Sequence, residues 1–116
     1  MTAGIQQLVE SFREEAAAHS RATLEGDHRA ANRAAARVHK LFLRLIAPGN
    51  EGRLALLTLA ETAADEVAVL AATYSLKFNP ERSLRVLARL ASDRGVIGFQ
   101  AGQAIKRWKS GEWHLE

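Results

Sequence analysis

The amino-acid sequence predicts an all-α protein of about six helices, arranged as three stacked helical hairpins in a short α-solenoid. Two observations support this fold class. Apolar residues recur at helical spacing along the chain, and no segment reads as a β-strand. The segments 52–78 and 80–109 also align with each other at an offset of 30 positions, as two copies of one helix pair would. With 116 residues, the chain is long enough for one helical-repeat domain with one core.

The first predicted helix pair spans residues 3–46 and differs in length from the other two. Apolar residues at helical spacing place its first helix over about residues 3–25. Gly26 then provides a helix end and Asp27 an N-cap for the next helix. The second helix therefore begins at His28, and a Pro-Gly-Asn sequence ends it just after residue 46.

The second predicted pair spans residues 52–78. A short third helix covers about residues 52–60. Thr62 is followed three residues later by Asp65, a spacing that resembles a capping box. The fourth helix is therefore predicted to begin at Thr62 and to continue to Phe78.

The third predicted pair spans residues 80–109. Asn79 is a good N-cap and Pro80 suits the first helical position, so the fifth helix is predicted from there to about residue 91. The sixth helix is expected to begin near Val96 and to end by Ser110. Beyond it, Trp113 is predicted to fold back as a cap over the last hairpin.

A set of short motifs extends over nearly the whole chain. They are Glu25-Gly-Asp-His, Glu51-Gly-Arg-Leu, Val67-Ala-Val-Leu-Ala-Ala, Phe78-Asn-Pro-Glu, Ile97-Gly-Phe-Gln-Ala and Trp108-Lys-Ser-Gly. The motifs resemble those of the bacterial domain-of-unknown-function family 2019, which is similar to HEAT-type repeats. The resemblance implies a HEAT/ARM-like α-α superhelix and brings no established activity, cofactor or catalytic residue. HEAT repeats usually carry an Arg where this chain has Ala68 and Gly98, which argues against a ladder built on such arginines.

The sequence offers no residues that fit a catalytic or metal site. It has no cysteine, which excludes thiolate ligands and cysteine nucleophiles. His28 and His39 lie eleven positions apart on the second helix, about 16 Å along its axis and too far apart for one metal ion. His19 falls near the apolar face of the first helix and is interpreted as a residue at the edge of the core. We therefore predict a protein that is not an enzyme and that has no cofactor and no metal.

A cationic stripe is the clearest polar feature of the sequence. Although the net charge is only +3, residues 28–50 carry five basic and no acidic groups. At 100° per residue these cations occupy an arc of about 80° on the second helix, opposite its apolar face. They are Arg29, Arg33, Arg37, Lys40 and Arg44. The stripe is either a solvated face neutralised by acids of the first helix or a docking surface for an acidic protein or a phosphate backbone.

Apolar residues also fall on the faces of two helices that should be polar. On the fourth helix these are Val69 and Leu76, and on the sixth Phe99 lies on the same side as Gln103 and Lys106. A helix that is apolar all round is enclosed or covered by a partner. Two interpretations stay open: these residues form a protein-binding groove beside the basic stripe, or the fourth helix is the enclosed middle element of the stack.

The predicted function is that of a protein–protein interaction module that binds another protein, an acidic one. By analogy with small helical-repeat proteins, an immunity- or antitoxin-like inhibitor is expected. The alternative is binding of a nucleic-acid backbone by the basic second and fifth helices, which is weaker because no exposed aromatic residue interleaves with the stripe. Homodimerisation through the apolar surface is a third outcome. A cytoplasmic location is expected, since no stretch resembles a membrane span or a secretion signal.

Overall fold

The computed structural model describes residues 4–111, and its regular elements are six α-helices. They are α1 (Ile5–Leu24), α2 (His28–Ile46), α3 (Asn50–Thr62), α4 (Asp65–Ser75), α5 (Pro80–Ala91) and α6 (Val96–Ser110). Residues 4–111 contain no β-strand, so the predicted all-α class with six helices is confirmed. None of the helices in this range is long and apolar enough to cross a bilayer. Trp113, the predicted cap, lies outside the described residues.

The helices fall into two compact units, with the boundary inside α3 between Leu56 and Leu57. In the first unit, α1 and α2 pack against each other as a helical hairpin. In the second unit, α5 packs against both α4 and α6, and α4 also contacts α6. The predicted arrangement of three stacked pairs within a single domain stays a prediction.

The core of the first unit forms where the apolar faces of α1 and α2 meet. Phe12 on α1 and Phe42 on α2 are almost fully buried. Each of these side chains contributes about 2–3 kcal/mol through the removal of apolar surface from water. The buried residues of α2 recur every three or four positions, as the sequence predicted, and they are Ala31, Ala34, Val38, Phe42 and Leu45.

Side-chain caps fix the starts of α2 and α5. The Asp27 carboxylate accepts a hydrogen bond from the Ala30 N–H at 3.0 Å, which satisfies one amide at the start of α2. Asn79 accepts a hydrogen bond from the Arg82 N–H at 3.2 Å, and Pro80 begins α5. The predicted starts of both helices are confirmed.

The predicted capping box at Thr62 is wrong. Thr62 is the last residue of α3, and its hydroxyl donates a 2.8 Å hydrogen bond to the Thr58 carbonyl of the same helix. The fourth helix begins only at Asp65, after Ala64 at the N-cap position, and it ends at Ser75. Because Thr62 is still helical in α3, it cannot be the N-cap of α4, which requires a residue just outside the helix.

Two glycines permit tight connections between successive helices. Gly52 and Gly98 are each the third residue of a helix that follows another after a short link. A Cβ atom on Gly52 would overlap the Leu45 carbonyl, and one on Gly98 would overlap the Asp93 carbonyl. Ala68, the other position at which HEAT repeats usually carry an Arg, is fully buried. Neither Ala68 nor Gly98 therefore has room for a long side chain.

Candidate functional site

The five cations of the predicted stripe lie on the exposed face of α2. The helix packs its apolar face against α1, so the opposite face points to solvent. Arg29, Arg33, Arg37, Lys40 and Arg44 are all exposed. From the first to the last of them, the basic face of α2 extends about 22 Å along the helix axis. The sequence-based placement of all five residues on one exposed face is confirmed.

Only one of these cations is held by a carboxylate in the described part of the chain. The Arg37 Nε donates a 2.8 Å hydrogen bond to Glu15 Oε1 on α1. Among residues 4–111, no carboxylate lies within ion-pairing distance of the other four cations. Neutralisation of the stripe by acids of the first helix therefore applies to Arg37 alone, and most of the positive charge is left facing solvent.

A groove of about 480 Å³ lies between α1 and α2, beside the C-terminal half of the basic face. Its lining combines cations, apolar side chains and carboxylates. The lining residues are Ser11, Glu14 and Glu15 from α1, and Arg37, Lys40, Leu41, Leu43 and Arg44 from α2. Leu43 is 47% exposed. This groove was not predicted from the sequence, although Leu43, an apolar residue outside the apolar face of α2, was a local sign of it.

The prediction that Val69 and Leu76 lie on a binding surface is wrong. Val69 is 3% exposed and Leu76 is fully buried. The helix that carries Val69, α4, packs against both α5 and α6 in the second unit, so its apolar residues belong to the core on more than one side. The alternative that the fourth helix is an enclosed element explains these residues, whereas a groove that includes them is excluded.

The three candidate residues on α6 are accessible. Phe99 is 67% exposed, Lys106 is exposed and Gln103 is partly exposed. Val96, one turn before Phe99, is 40% exposed and extends the apolar surface. Within residues 4–111, no carboxylate lies within ion-pairing distance of Lys106. We call the surface formed by Phe99, Gln103 and Lys106 the α6 face.

The basic residues of α5 differ from those of α2, because each of its three arginines meets a carboxylate. Arg82 donates from Nε to Glu61 Oε2 at 2.9 Å. Arg89 lies 3.6 Å from Asp65, and Arg85 lies 3.4 Å from Glu81. The hydrogen bond from Arg82 lowers the pKa of Glu61, and the positive charge of Arg82 acts in the same direction.

The three histidines within residues 4–111, which are His19, His28 and His39, do not assemble into a metal site. His19 is partly buried on α1, as expected for the edge of the core, and burial lowers its pKa. The His39 ring packs 6.1 Å from the ring of Phe42. Within residues 4–111, no group of three or more acidic or histidine side chains is placed to hold a metal ion.

Comparison with solved structures supports the helical fold. The chain is similar to the crystal structure of the protein RPA1889 from Rhodopseudomonas palustris CGA009, with a TM-score of 0.87 and 23% sequence identity. The similarity covers 97% of this chain and 94% of that chain. No protein-family model matches the sequence, and a comparison with curated proteins finds no match. The likeness to RPA1889 thus supports an all-helical fold and carries no functional assignment.

Proposed function

We propose that the protein is a non-catalytic interaction module that binds an acidic protein through the basic face of α2. The observation that carries this proposal is the set of four exposed cations, Arg29, Arg33, Lys40 and Arg44, for which residues 4–111 provide no carboxylate partner. An extended positive face of this kind accelerates encounter with acidic partners and disfavours basic ones.

The mixed chemistry beside this face favours a protein over a phosphate backbone. Glu14 and Glu15 line the groove next to Lys40 and Arg44, and their charges would repel phosphates. The one aromatic ring that α2 carries besides its histidines, that of Phe42, is buried and offers no base-stacking surface. The arginines of α5, on which the nucleic-acid alternative also depends, already pair with carboxylates.

The α6 face supplies a second candidate contact in the other unit. Exposed aromatic rings are common anchors in protein interfaces. Phe99 provides such a ring, and Lys106 lies about two turns further along the same side of α6. We include the α6 face in the proposal as a contact of its own, to be tested independently of α2.

The bacterial origin, the inhibitory role and the cellular location that we propose are inferred from the sequence. The motifs that resemble the bacterial domain-of-unknown-function family 2019 support a bacterial origin, and an immunity- or antitoxin-like inhibitor is the specific role we propose. Such an inhibitor would form a stoichiometric complex with its target in the cytoplasm. Fractionation of the source cell, with detection of the protein by antibody, tests the location.

The experiment begins with purification of the protein and its partner from the native cell, followed by titration calorimetry of the purified pair. We expect Arg33→Glu to weaken binding at least 10-fold, or about 1.4 kcal/mol, because it places a negative charge in the middle of the basic face. Arg13→Glu is the matched control, since it changes the net charge equally but lies on α1, 3.6 Å from Glu10. Equal effects of the two variants would refute the proposed surface. Phe99→Ala tests the α6 face in the same assay.

The alternatives have distinct signatures. Binding of a phosphate backbone would release counterions, so retention on DNA or RNA would fall steeply as salt rises. A protein partner that also makes apolar contacts would tolerate moderate salt. Homodimerisation would appear in analytical ultracentrifugation as a doubled mass that is lost on dilution.

A further inference from the structure

We infer that the groove between α1 and α2 binds an amphipathic helical segment of the partner, with acidic residues against α2 and an apolar residue on Leu43. The inference rests on the proposed function and deepens it, because it specifies which part of an acidic partner occupies the groove. It draws on three features of the groove: its apolar residues, its cations and its carboxylates.

The apolar residues require an apolar group on the partner. Leu43 is 47% exposed and lines the groove, and Leu41, which also lines it, is partly buried. A ligand made only of charged groups would either leave the Leu43 side chain exposed to water or place a charged group against it, and that charged group would then lose part of its hydration. Covering Leu43 with an apolar side chain removes both surfaces from water, which is the favourable term in most protein association.

The cations set the spacing of the partner's acidic residues. Lys40 and Arg44 are four residues apart, so they lie one turn apart on α2, about 6 Å along the axis. Within residues 4–111, neither has a carboxylate at ion-pairing distance. Two carboxylates one turn apart on a partner helix match this spacing. Arg37, in contrast, is already held by Glu15 and forms part of the groove wall.

The carboxylates of the groove disfavour a uniformly acidic ligand. Glu14 is exposed on α1 and lines the groove together with Glu15. A polyanion that filled the groove would place negative charge beside both side chains. A helix with acidic residues on one side only can direct them to Lys40 and Arg44 and present neutral or basic residues to Glu14. The groove therefore selects for the charge pattern of the ligand as well as for its net charge.

The test uses four fluorescent probes of equal length and the full chain. One is a designed helical peptide with Glu at positions four apart, Leu on the adjacent side and Lys on the third side. The others are a scrambled peptide of the same composition, oligo-glutamate and single-stranded DNA. In fluorescence anisotropy at physiological salt, we expect the designed peptide to bind at least 10-fold more tightly than the other three. Equal binding of the scrambled peptide or of oligo-glutamate, or no binding of the designed peptide, would overturn the inference.

Variants of the groove complete the experiment. We expect Leu43→Ser to weaken binding of the designed peptide at least 10-fold, whereas Leu24→Ser leaves it within a factor of two. Leu24 is the matched control because it is 68% exposed on α1 and does not line the groove. We also expect Glu14→Lys to raise affinity for oligo-glutamate several-fold, since it removes the repulsion that excludes this ligand. No change in that affinity would contradict the role given to Glu14.

The native partner separates failure of this inference from failure of the proposed function. If Arg33→Glu weakens the native complex but Leu43→Ser does not, the basic face binds the partner and the groove inference is wrong. If neither variant weakens it, both are wrong. Loss of binding in both variants, with Leu24→Ser unchanged, supports both.

Discussion

The helices α2 and α5 are both basic and amphipathic, yet their charges are placed differently. In α5, Glu81 lies in the first turn and Arg89 in the last, an order that the helix dipole favours. The three arginines of α5 each meet a carboxylate of the second unit. In α2, Arg44 in the last turn follows the same order, but the first turn contains Arg29, and Arg37 alone among the five cations has a carboxylate partner within residues 4–111.

The number of basic residues on a helix therefore does not identify a docking surface. What separates the two helices is whether their cations already have carboxylate partners. Each arginine of α5 has one in the second unit. Four of the five cations of α2 have none within the described part of the chain, and that is why we assign them to a partner.

The largest effect that we expect concerns the connection that brings α6 back onto α5. Gly98→Ala would place a Cβ atom on the Asp93 carbonyl, so the backbone must shift, and we expect a loss of about 3 kcal/mol in the free energy of unfolding. Urea denaturation measures it. A variant as stable as the parent chain would show that the connection between α5 and α6 does not depend on this close approach.

Gly102→Ala is the matched control on the same helix. Apart from the nearby backbone of α6 itself, no heavy atom of the described residues lies within 4 Å of the position that a Cβ atom would take there. Alanine has the higher helix propensity, so we expect this variant to gain about 0.5–1 kcal/mol. The two substitutions should therefore change stability in opposite directions.

The next effect concerns the cation in the first turn of α2, which we expect to serve partner binding and not the stability of the helix. Arg29→Glu replaces a cation in the first turn of α2 with an anion, which the helix dipole favours by about 0.3–0.5 kcal/mol. We expect the same change to weaken binding of the native partner about 10-fold, or 1.4 kcal/mol. Denaturation and calorimetry on one preparation would report both. A variant that loses stability, or that binds as the parent does, would remove the contrast with α5.

A smaller effect concerns a polar residue on the inner side of α5. The Ser83 hydroxyl is fully buried, and no hydrogen-bond partner is found for it, or for that of Ser75, among the described residues. We expect Ser83→Ala and Ser75→Ala to raise stability by up to about 1 kcal/mol, because each removes a buried hydroxyl without a partner.

Thr73→Val provides the contrast to these serines. The Thr73 hydroxyl donates a 2.7 Å hydrogen bond to the Val69 carbonyl, so its removal should lower stability by about 0.5–1 kcal/mol. Thermal unfolding of the three variants side by side would distinguish them. A loss in the serine variants equal to that of Thr73→Val would mean that their hydroxyls do have partners.

The smallest effect is the pH dependence of stability that comes from the pair of Glu61 and Arg82. Because Arg82 lowers the pKa of Glu61 below its ordinary value of 4.5, the Glu61 carboxylate binds a proton more weakly in the folded chain than in the unfolded chain. The stabilisation is present above that value and is lost as pH falls through the lower pKa of the folded state. At neutral pH we expect Glu61→Gln to lose about 0.5 kcal/mol, since the pair is open to solvent.

Urea unfolding at a series of pH values from neutral to acidic measures this effect. Stability of the parent chain should fall more steeply below the ordinary pKa of glutamate than stability of Glu61→Gln. Arg33→Gln is the control on α2 and should keep the pH profile of the parent chain. Parallel profiles for Glu61→Gln and the parent would contradict the coupling between Glu61 and Arg82.

Local signals in the sequence were enough for the helix starts that depend on neighbouring residues. Asp27 and the pair Asn79–Pro80 set the starts of α2 and α5 through contacts within three residues. The same reasoning failed at Thr62, which is still a helical residue of α3, whereas an N-cap residue lies just outside the helix that it caps. The Thr-x-x-Asp spacing alone does not show where the preceding helix ends.

The candidate site was predictable only in part, for a reason that lies in tertiary structure. Helical spacing placed Arg33 and its neighbours on one exposed face, because that face is set by the apolar face opposite. Val69 was misplaced, since an apolar helix can be either central or covered, and only the packing of α4 against α5 and α6 decides. The pairing of Arg82 with Glu61 joins residues 21 positions apart, beyond the range of any local pattern.

The glycine at the third position of α3 and of α6 is a sequence pattern that can be searched for in other proteins. At Gly52 and Gly98 the obstacle is a main-chain oxygen, so every residue with a side chain is disfavoured there, whatever its polarity or size. In a saturation mutagenesis library scored for the amount of folded protein, both codons should stand out as intolerant between tolerant neighbours such as Glu51 and Phe99. A glycine at the third position of a helix that begins a few residues after another helix would then indicate the same tight connection in a chain whose coordinates are unknown.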